Sequence, residues 1–208
     1  MTSRSRRAFV ATVVAALLVG CGGRPSGASV GARPGGARSG EASAAAPSAV
    51  EPARTPGRSV PVGLRIPAIG VDTRLTRLGL TPDGRAQVPP ITAHDRAGWY
   101  RYSPTPGQKG PSVILGHVTV GSYGDGVFRH LARLRHGDRI AVRLENGGSV
   151  VFAVTEVRTV AKADFPADAV YGDVDRPELR LITCGGPRSG SGYLDNVIVF
   201  AAQASANP

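Results

Sequence analysis

Leu179-Arg180-Leu181-Ile182-Thr183-Cys184-Gly185-Gly186-Pro187 is the stretch that decides how this chain is read. Leu179, Leu181 and Thr183 fall on one side of an extended segment and Arg180 and Ile182 on the other, the alternation of a buried strand. The Gly-Gly-Pro that follows ends such a strand, so Cys184 is expected at its lip. The chain has two cysteines, and the other, Cys21, closes an N-terminal apolar segment. Cys184 is therefore an unpaired thiol in a chain that carries an export-type leader. An unpaired thiol is a liability outside the cytoplasm, and nucleophilic catalysis is the role that accounts for keeping one.

Residues 1–21 read as that leader. Arg4, Arg6 and Arg7 precede an apolar run from Ala8 to Val19, shorter than the roughly twenty residues a bilayer span requires. The run ends Leu18-Val19-Gly20-Cys21, which resembles the lipobox of bacterial lipoproteins, where a small residue precedes the cysteine that takes the lipid. That resemblance implies lipid attachment at Cys21; an uncleaved signal anchor or an ordinary secretory signal fits the same residues. Each of these puts the body of the protein outside the cytoplasm, tethered to the outer face of the membrane or released near it.

Gly22 to Arg58 is rich in Gly, Ala, Ser, Pro and Arg and has no aromatic residue or apolar period. Such a segment cannot bury enough surface to offset its ordering entropy. It reads as a disordered tether with an r.m.s. reach on the order of 30 to 35 Å. Residues 1–58 hold eight arginines against Glu41 and Glu51, a net of +6, so the remaining 150 residues carry only +4 of the formal +10. The basic excess thus belongs to leader and tether, where it suits an anionic envelope. With few aromatics and no basic stripe in the body, nucleic acid is not an expected partner.

From Ser59 to Pro208 the texture is that of one domain, long enough for a core. Strand-like segments recur at 62–66, 71–78, 112–116, 139–144, 150–157, 179–183 and 196–201. Asn146-Gly147-Gly148 between two of them is a hairpin signal, because its residues tolerate positive φ. Helical pattern is thin. Phe128, Leu131 and Leu134 fit a turn or two, and Ala163 to Val170 another. Short strands with Gly and Pro punctuation predict an all-β barrel or sandwich with small helices in the connections.

A thiol is mostly protonated at neutral pH and needs a base or an imidazolium beside it. The chain offers His94, His117, His130 and His136. Ser112-Val113-Ile114-Leu115-Gly116-His117 is a buried-looking strand that ends at its histidine, as the Cys184 strand ends at its thiol. Two strand ends can meet at one rim. His130 and His136 lie in the Arg-rich stretch 129–139, whose composition predicts solvated side chains, and His94 lies in the Pro-rich approach to Trp99.

These residues carry a resemblance. Leu181-Ile182-Thr183-Cys184 resembles the active-site strand of sortases, and Leu115-Gly116-His117 resembles their upstream histidine motif, with the cysteine 67 residues after the histidine. Val62 to Val71, which contains Ile66-Pro67-Ala68-Ile69-Gly70-Val71, is similar to the opening strand of that family, and Asn196 to Ala201 to the closing one. The likeness spans Ser59 to Ala202. Cys184-Gly185-Gly186-Pro187 followed by Tyr193-Leu194-Asp195-Asn196-Val197 resembles the actinobacterial group called class F.

The resemblance implies a closed, mostly antiparallel sortase-type barrel and a cysteine transpeptidase, a thiol peptidase by reaction. Cys184 would attack the Thr carbonyl of an LPxTG-like sorting signal and hold a thioacyl-enzyme, which an envelope amine or water resolves. His117 would be the acid and base. Sortases carry an arginine on the closing strand, and here Asn196 stands near that place. Asn196 could donate to the substrate or oxyanion, or Arg188, in the loop after Cys184, could take the role. The resemblance implies no cofactor, and no acidic cluster calls for a metal. The partners expected are the signal peptide and an amine acceptor, with the chain a monomer.

Two other classes remain. An L,D-transpeptidase also uses an envelope cysteine, but in a Ser-x-Gly-Cys context, whereas Ile182 and Thr183 precede Cys184 here. A lipid-anchored, non-catalytic β-domain that binds an envelope component would make Cys184 a core thiol, and free cysteine is among the most buried residue types. Zinc is disfavoured, since one available cysteine and scattered histidines lack ligand spacing.

Overall fold

The computed structural model describes residues 58–190 and 192–205; the leader, Cys21 and the tether up to residue 57 lie outside them. The described residues form eight strands, β1 (Pro61–Ile66), β2 (Val71–Leu78), β3 (Ala97–Tyr100), β4 (Gly110–Leu115), β5 (Arg139–Leu144), β6 (Ser149–Ala161), β7 (Pro177–Ser189) and β8 (Gly192–Gln203), and one short helix, α1 (Ala167–Tyr171). They close into a barrel in the order β1-β2-β3-β4-β7-β8-β6-β5. Closure leaves no unpaired edge. Two pairings, β2 with β3 and β4 with β7, are parallel and the rest antiparallel, so the mostly antiparallel barrel expected from the sequence is the fold.

The β-branched runs of β6 and β8 suit a pleated surface buried on one side. Each strand sends alternate side chains into the barrel, where Leu64, Ile66, Phe152, Leu179, Leu181 and Val199 are fully buried. Phe128 and Leu131, from the connection before β5, close one end of that core at 0% exposure, and the turn expected near them is the single 3-10 turn Leu131–Arg133. The β5–β6 hairpin reverses at Gly147, whose φ of 83° lies in the left-handed region that glycine occupies without strain.

Three boundaries differ from the sequence reading. Gly185-Gly186-Pro187 does not end β7. The strand runs on to Ser189 through a register shift between Gly185 and Arg188, so Cys184 sits within the β7–β8 ladder. The helical segment expected at 163–170 is split into a 3-10 turn, Lys162–Asp164, and the short helix Ala167–Tyr171. And β3, four residues containing Gly98, is an element the sequence did not signal.

A second apolar cluster lies outside the barrel wall, where Val113, Ile182, Ile198 and Phe200 pack under Val170 of α1. Arg180, only 3% exposed, fixes α1 there. Its Nε donates to the Ala169 carbonyl at 3.2 Å and its Nη2 to Glu178 Oε2 at 2.6 Å, while its guanidinium lies 4.6 Å from the Phe200 ring centre.

Candidate active site

The parallel register of β4 and β7 pairs Leu115 with Ile182, and the Gly116 amide donates to the Ile182 carbonyl at 3.1 Å. Two residues further along each chain stand His117 and Cys184. Both therefore leave the barrel at the same end, on neighbouring segments. Gly116 has to be glycine for this, because a Cβ there would meet the Phe128 ring at 2.5 Å. The Phe128 amide in turn donates to the His117 carbonyl at 2.8 Å, which fixes the histidine backbone against the core.

Cys184 is a free, half-buried thiol. In the β7 alternation it shares the outward face with Arg180 and Ile182, not the inward face of Leu181 and Thr183. Its antiparallel partner on β8 is Asn196. Arg188 lies past the bulge opposite Tyr193, exposed, with its guanidinium 5.2 Å from the Tyr193 ring centre. Tyr193 also joins the two halves of this end, since its hydroxyl lies 3.1 Å from Thr119 Oγ1 in the segment after His117.

The His117 ring is half-buried, and its Nε2 lies 2.6 Å from the Pro89 carbonyl. A carbonyl only accepts, so Nε2 carries the hydrogen. The neutral imidazole then has its lone pair at Nδ1. His136 is exposed and His130 half-buried. His94 caps a 3-10 turn and stacks on Tyr123 with centroids 5.5 Å apart. None of the three is on a strand that borders Cys184.

Beside Cys184 opens a cleft of about 1160 Å³. Ile182 and Asn196, the residues two before Cys184 and opposite it, line one end, and Tyr100, Leu115, Phe165 and Tyr171 line its walls. Tyr100 packs edge-on to Tyr171 at 6.2 Å and Tyr171 against Phe165 at 6.1 Å. Burial, with Tyr100 beside it, pushes the Tyr171 hydroxyl above its usual 10.0, so it stays a neutral donor. The cleft could not be read from the sequence, because its walls come from β3, β4, β7, β8 and the α1 connection and only chain closure brings them together.

The sortase domain model matches residues 64–204, the greater part of the chain. The chain belongs to the sortase family. Among solved structures it is similar to the lid mutant of sortase A from Corynebacterium diphtheriae (20% identity, 75% of this chain and 76% of that one, TM-score 0.56). It is also similar to the sortase D5 transpeptidase of Clostridium perfringens (23%, 70% and 79%, 0.53) and to sortase C-1 of Actinomyces oris (20%, 69% and 74%, 0.54). At these identities the likeness establishes the barrel. Comparison with curated protein sequences gives no match. As a sortase the protein is a cell-wall sorting transpeptidase of the cysteine type, and members of the family are generally extracytoplasmic and membrane-associated. Among the described residues of this sortase no helix is long and apolar enough to cross a membrane.

Proposed function

We propose that this sortase is of the class F kind and cleaves an LPxTG-like sorting signal through a thioacyl-enzyme on Cys184, passing the acyl group to an amine of the cell envelope or to water. The observation that carries the reading is the β4–β7 register, which sends His117 and Cys184 out of the barrel at one end, next to a cleft lined by their neighbours Leu115, Ile182 and Asn196. The Cys184 sulfur attacks the Thr carbonyl carbon, the C–N bond breaks, and His117 gives a proton to the departing amine. The incoming amine attacks the thioester, loses its proton to His117 and expels the thiolate. With Nε2–H held by Pro89, the proton that moves is the one at Nδ1.

Asn196 is the better candidate for the third role, because it stands opposite Cys184 in the ladder and lines the cleft, whereas Arg188 lies on the Tyr193 ring. An amide there can donate to the developing oxyanion. The body at 59–208 would work as one catalytic unit held at the outer membrane face by residues 1–58, with Cys21 as the lipid-bearing residue. Intact-mass analysis of native protein should then show a mature N-terminal Cys21 carrying lipid; a full-length, unmodified N-terminus would rule that out.

The test of the activity is mass spectrometry of the chain incubated with an LPxTG-type peptide and excess triglycine. A cleaved and ligated product is expected. No product from a panel of such peptides, together with a Cys184 that resists a methanethiosulfonate reagent in the folded state, would overturn the reading in favour of an envelope-binding domain.

A further inference from the structure

The cleft extends well past the residues that flank Cys184, and its far end has a different character. Arg58, Arg85 and Arg101 line the cleft against a single acid, Asp173. Arg85 is already engaged, since its Nε donates to Asp83 at 2.6 Å. Arg101 is exposed and rests on the Tyr102 ring at 4.9 Å, with its Nη2 donating to the Tyr102 hydroxyl at 2.8 Å. Among the described residues the ion pairs recorded include none to Arg101. A guanidinium carries five N–H donors, and one bond to the Tyr102 hydroxyl leaves others for a carboxylate. Nearby Thr105 also lines the cleft; it is 3% exposed, and its hydroxyl has no hydrogen-bond partner. That hydroxyl is enclosed by protein, so it makes no contact with the occupant of the cleft.

We propose that this end of the cleft recognises an acidic side chain of the peptide substrate, carried two or three residues before the sorting motif, with Arg101 as the specificity-determining residue. The proposal rests on the transpeptidase reading and deepens it. The acyl half of the substrate has to be held through both steps of the reaction, so the cleft is the place for residues before the scissile bond.

Their spacing follows from the ladder. Trp99, Ile114 and Leu181 stand level across β3, β4 and β7. Cys184 lies three residues beyond that level along β7, and Arg101 two residues beyond it along β3, which runs the other way. The separation along the strands is about 16 Å, with two strand spacings, about 10 Å, across them. An extended peptide covers the resulting distance of about 19 Å in five or six residues, which is two or three before the Leu of an LPxT segment. Charge selects the occupant. The chain's own tether, with Arg24, Arg33, Arg38 and Arg54 against Glu41 and Glu51, is basic, as is a second copy of the chain, whereas an acidic peptide is complementary.

The experiment measures kcat and KM of the full chain on LPxTG-type peptides that differ only in Glu, Gln or Lys at the second and third positions before the Leu. The Glu peptide should have a KM about threefold to fivefold below the Lys peptide, the range of an exposed ion pair, with kcat little changed and the difference shrinking in high salt. Arg101→Gln should remove the preference and Arg101→Glu reverse it. KM values equal within twofold for all three peptides, or a preference that survives Arg101→Glu, would overturn the proposal. If no peptide of the series is cleaved and Cys184 also resists a methanethiosulfonate reagent, the transpeptidase reading fails instead. Anisotropy titration of the same labelled peptides onto Cys184→Ala then decides the subsite alone, by whether affinity follows their charge.

Discussion

Leu179, Leu181 and Thr183 point into the barrel and are at most 4% exposed, while Arg180, Ile182 and Cys184 alternate with them and face outward, toward α1 and the cleft. The two inward leucines belong to a core cluster that draws residues from every strand of the barrel, and Thr183 is buried beside them in the strand. The outward set meets a short helix, a run of aromatics and open space. One strand thus carries the stability of the fold on one face and the chemistry of the site on the other. Because the side-chain period is two, a slip of one residue would exchange them, and the β4 and β8 ladders on either side of β7 hold it against such a slip.

If that division holds, outward and inward substitutions should separate cleanly into losses of activity and losses of stability. On the site side, His117→Ala should lower kcat/KM by about a thousandfold, the weight of a positioned acid and base, with the melting temperature nearly unchanged. Retention of most activity would move the acid/base role to another group. On the core side, Phe128→Ala should cost about 3–5 kcal/mol, or roughly 10 °C in melting temperature. Chemical denaturation measures it, and a cost under about 1 kcal/mol would mean that the end of the barrel relaxes around the gap.

The pair Arg180–Glu178 sharpens the comparison, because it is an ionic tie on the outward face. Burial pushes the Glu178 carboxyl up, but hydrogen bonds from Arg176 and Arg180 outweigh it and hold the group below its ordinary 4.5. A depressed carboxyl contributes stability above its unfolded pKa, and that contribution disappears as pH falls through the folded value. The protection of amides at 167–171, corrected for their intrinsic exchange rates, should therefore fall as the pH drops below the ordinary carboxyl value of 4.5, and Glu178→Gln should flatten that dependence. The smallest effect belongs to Thr183, whose inward hydroxyl is buried without a partner. Thr183→Val should leave activity intact and change stability by no more than about 1 kcal/mol, in the favourable direction. A large loss of activity would show that the hydroxyl serves the site through the strand.

Much of the inward pattern was legible in the chain. The alternation of 179–183, the apolar runs that became β1, β2, β5 and β8, and the hairpin at Asn146–Gly148 are local signals of period and turn chemistry, and they survive in the fold. The ends of two strands in the ladder were not. Gly185-Gly186-Pro187 has the composition of a break, yet pairing with β8 carries β7 through it by a bulge, a tertiary effect that overrides the local preference. β3 escaped because four residues with a glycine among them have too little period to register. His117 and Cys184 stood out as two strand ends, but Tyr100, Arg101, Thr105 and Tyr171 gave no sign of a shared cleft. Their residue types are ordinary, and only barrel closure brings them together.

The measurement that bears most directly on the outward face as the seat of chemistry is an acid-quenched intact-mass and peptide-mapping experiment on the chain mixed with an LPxTG-type peptide. The account predicts a transient mass increase equal to the acyl half of the peptide, mapped to Cys184, with neither adduct nor turnover in a Cys184→Ala chain that melts like wild type. Turnover that persists in Cys184→Ala, or an acyl group found on another residue, would contradict it.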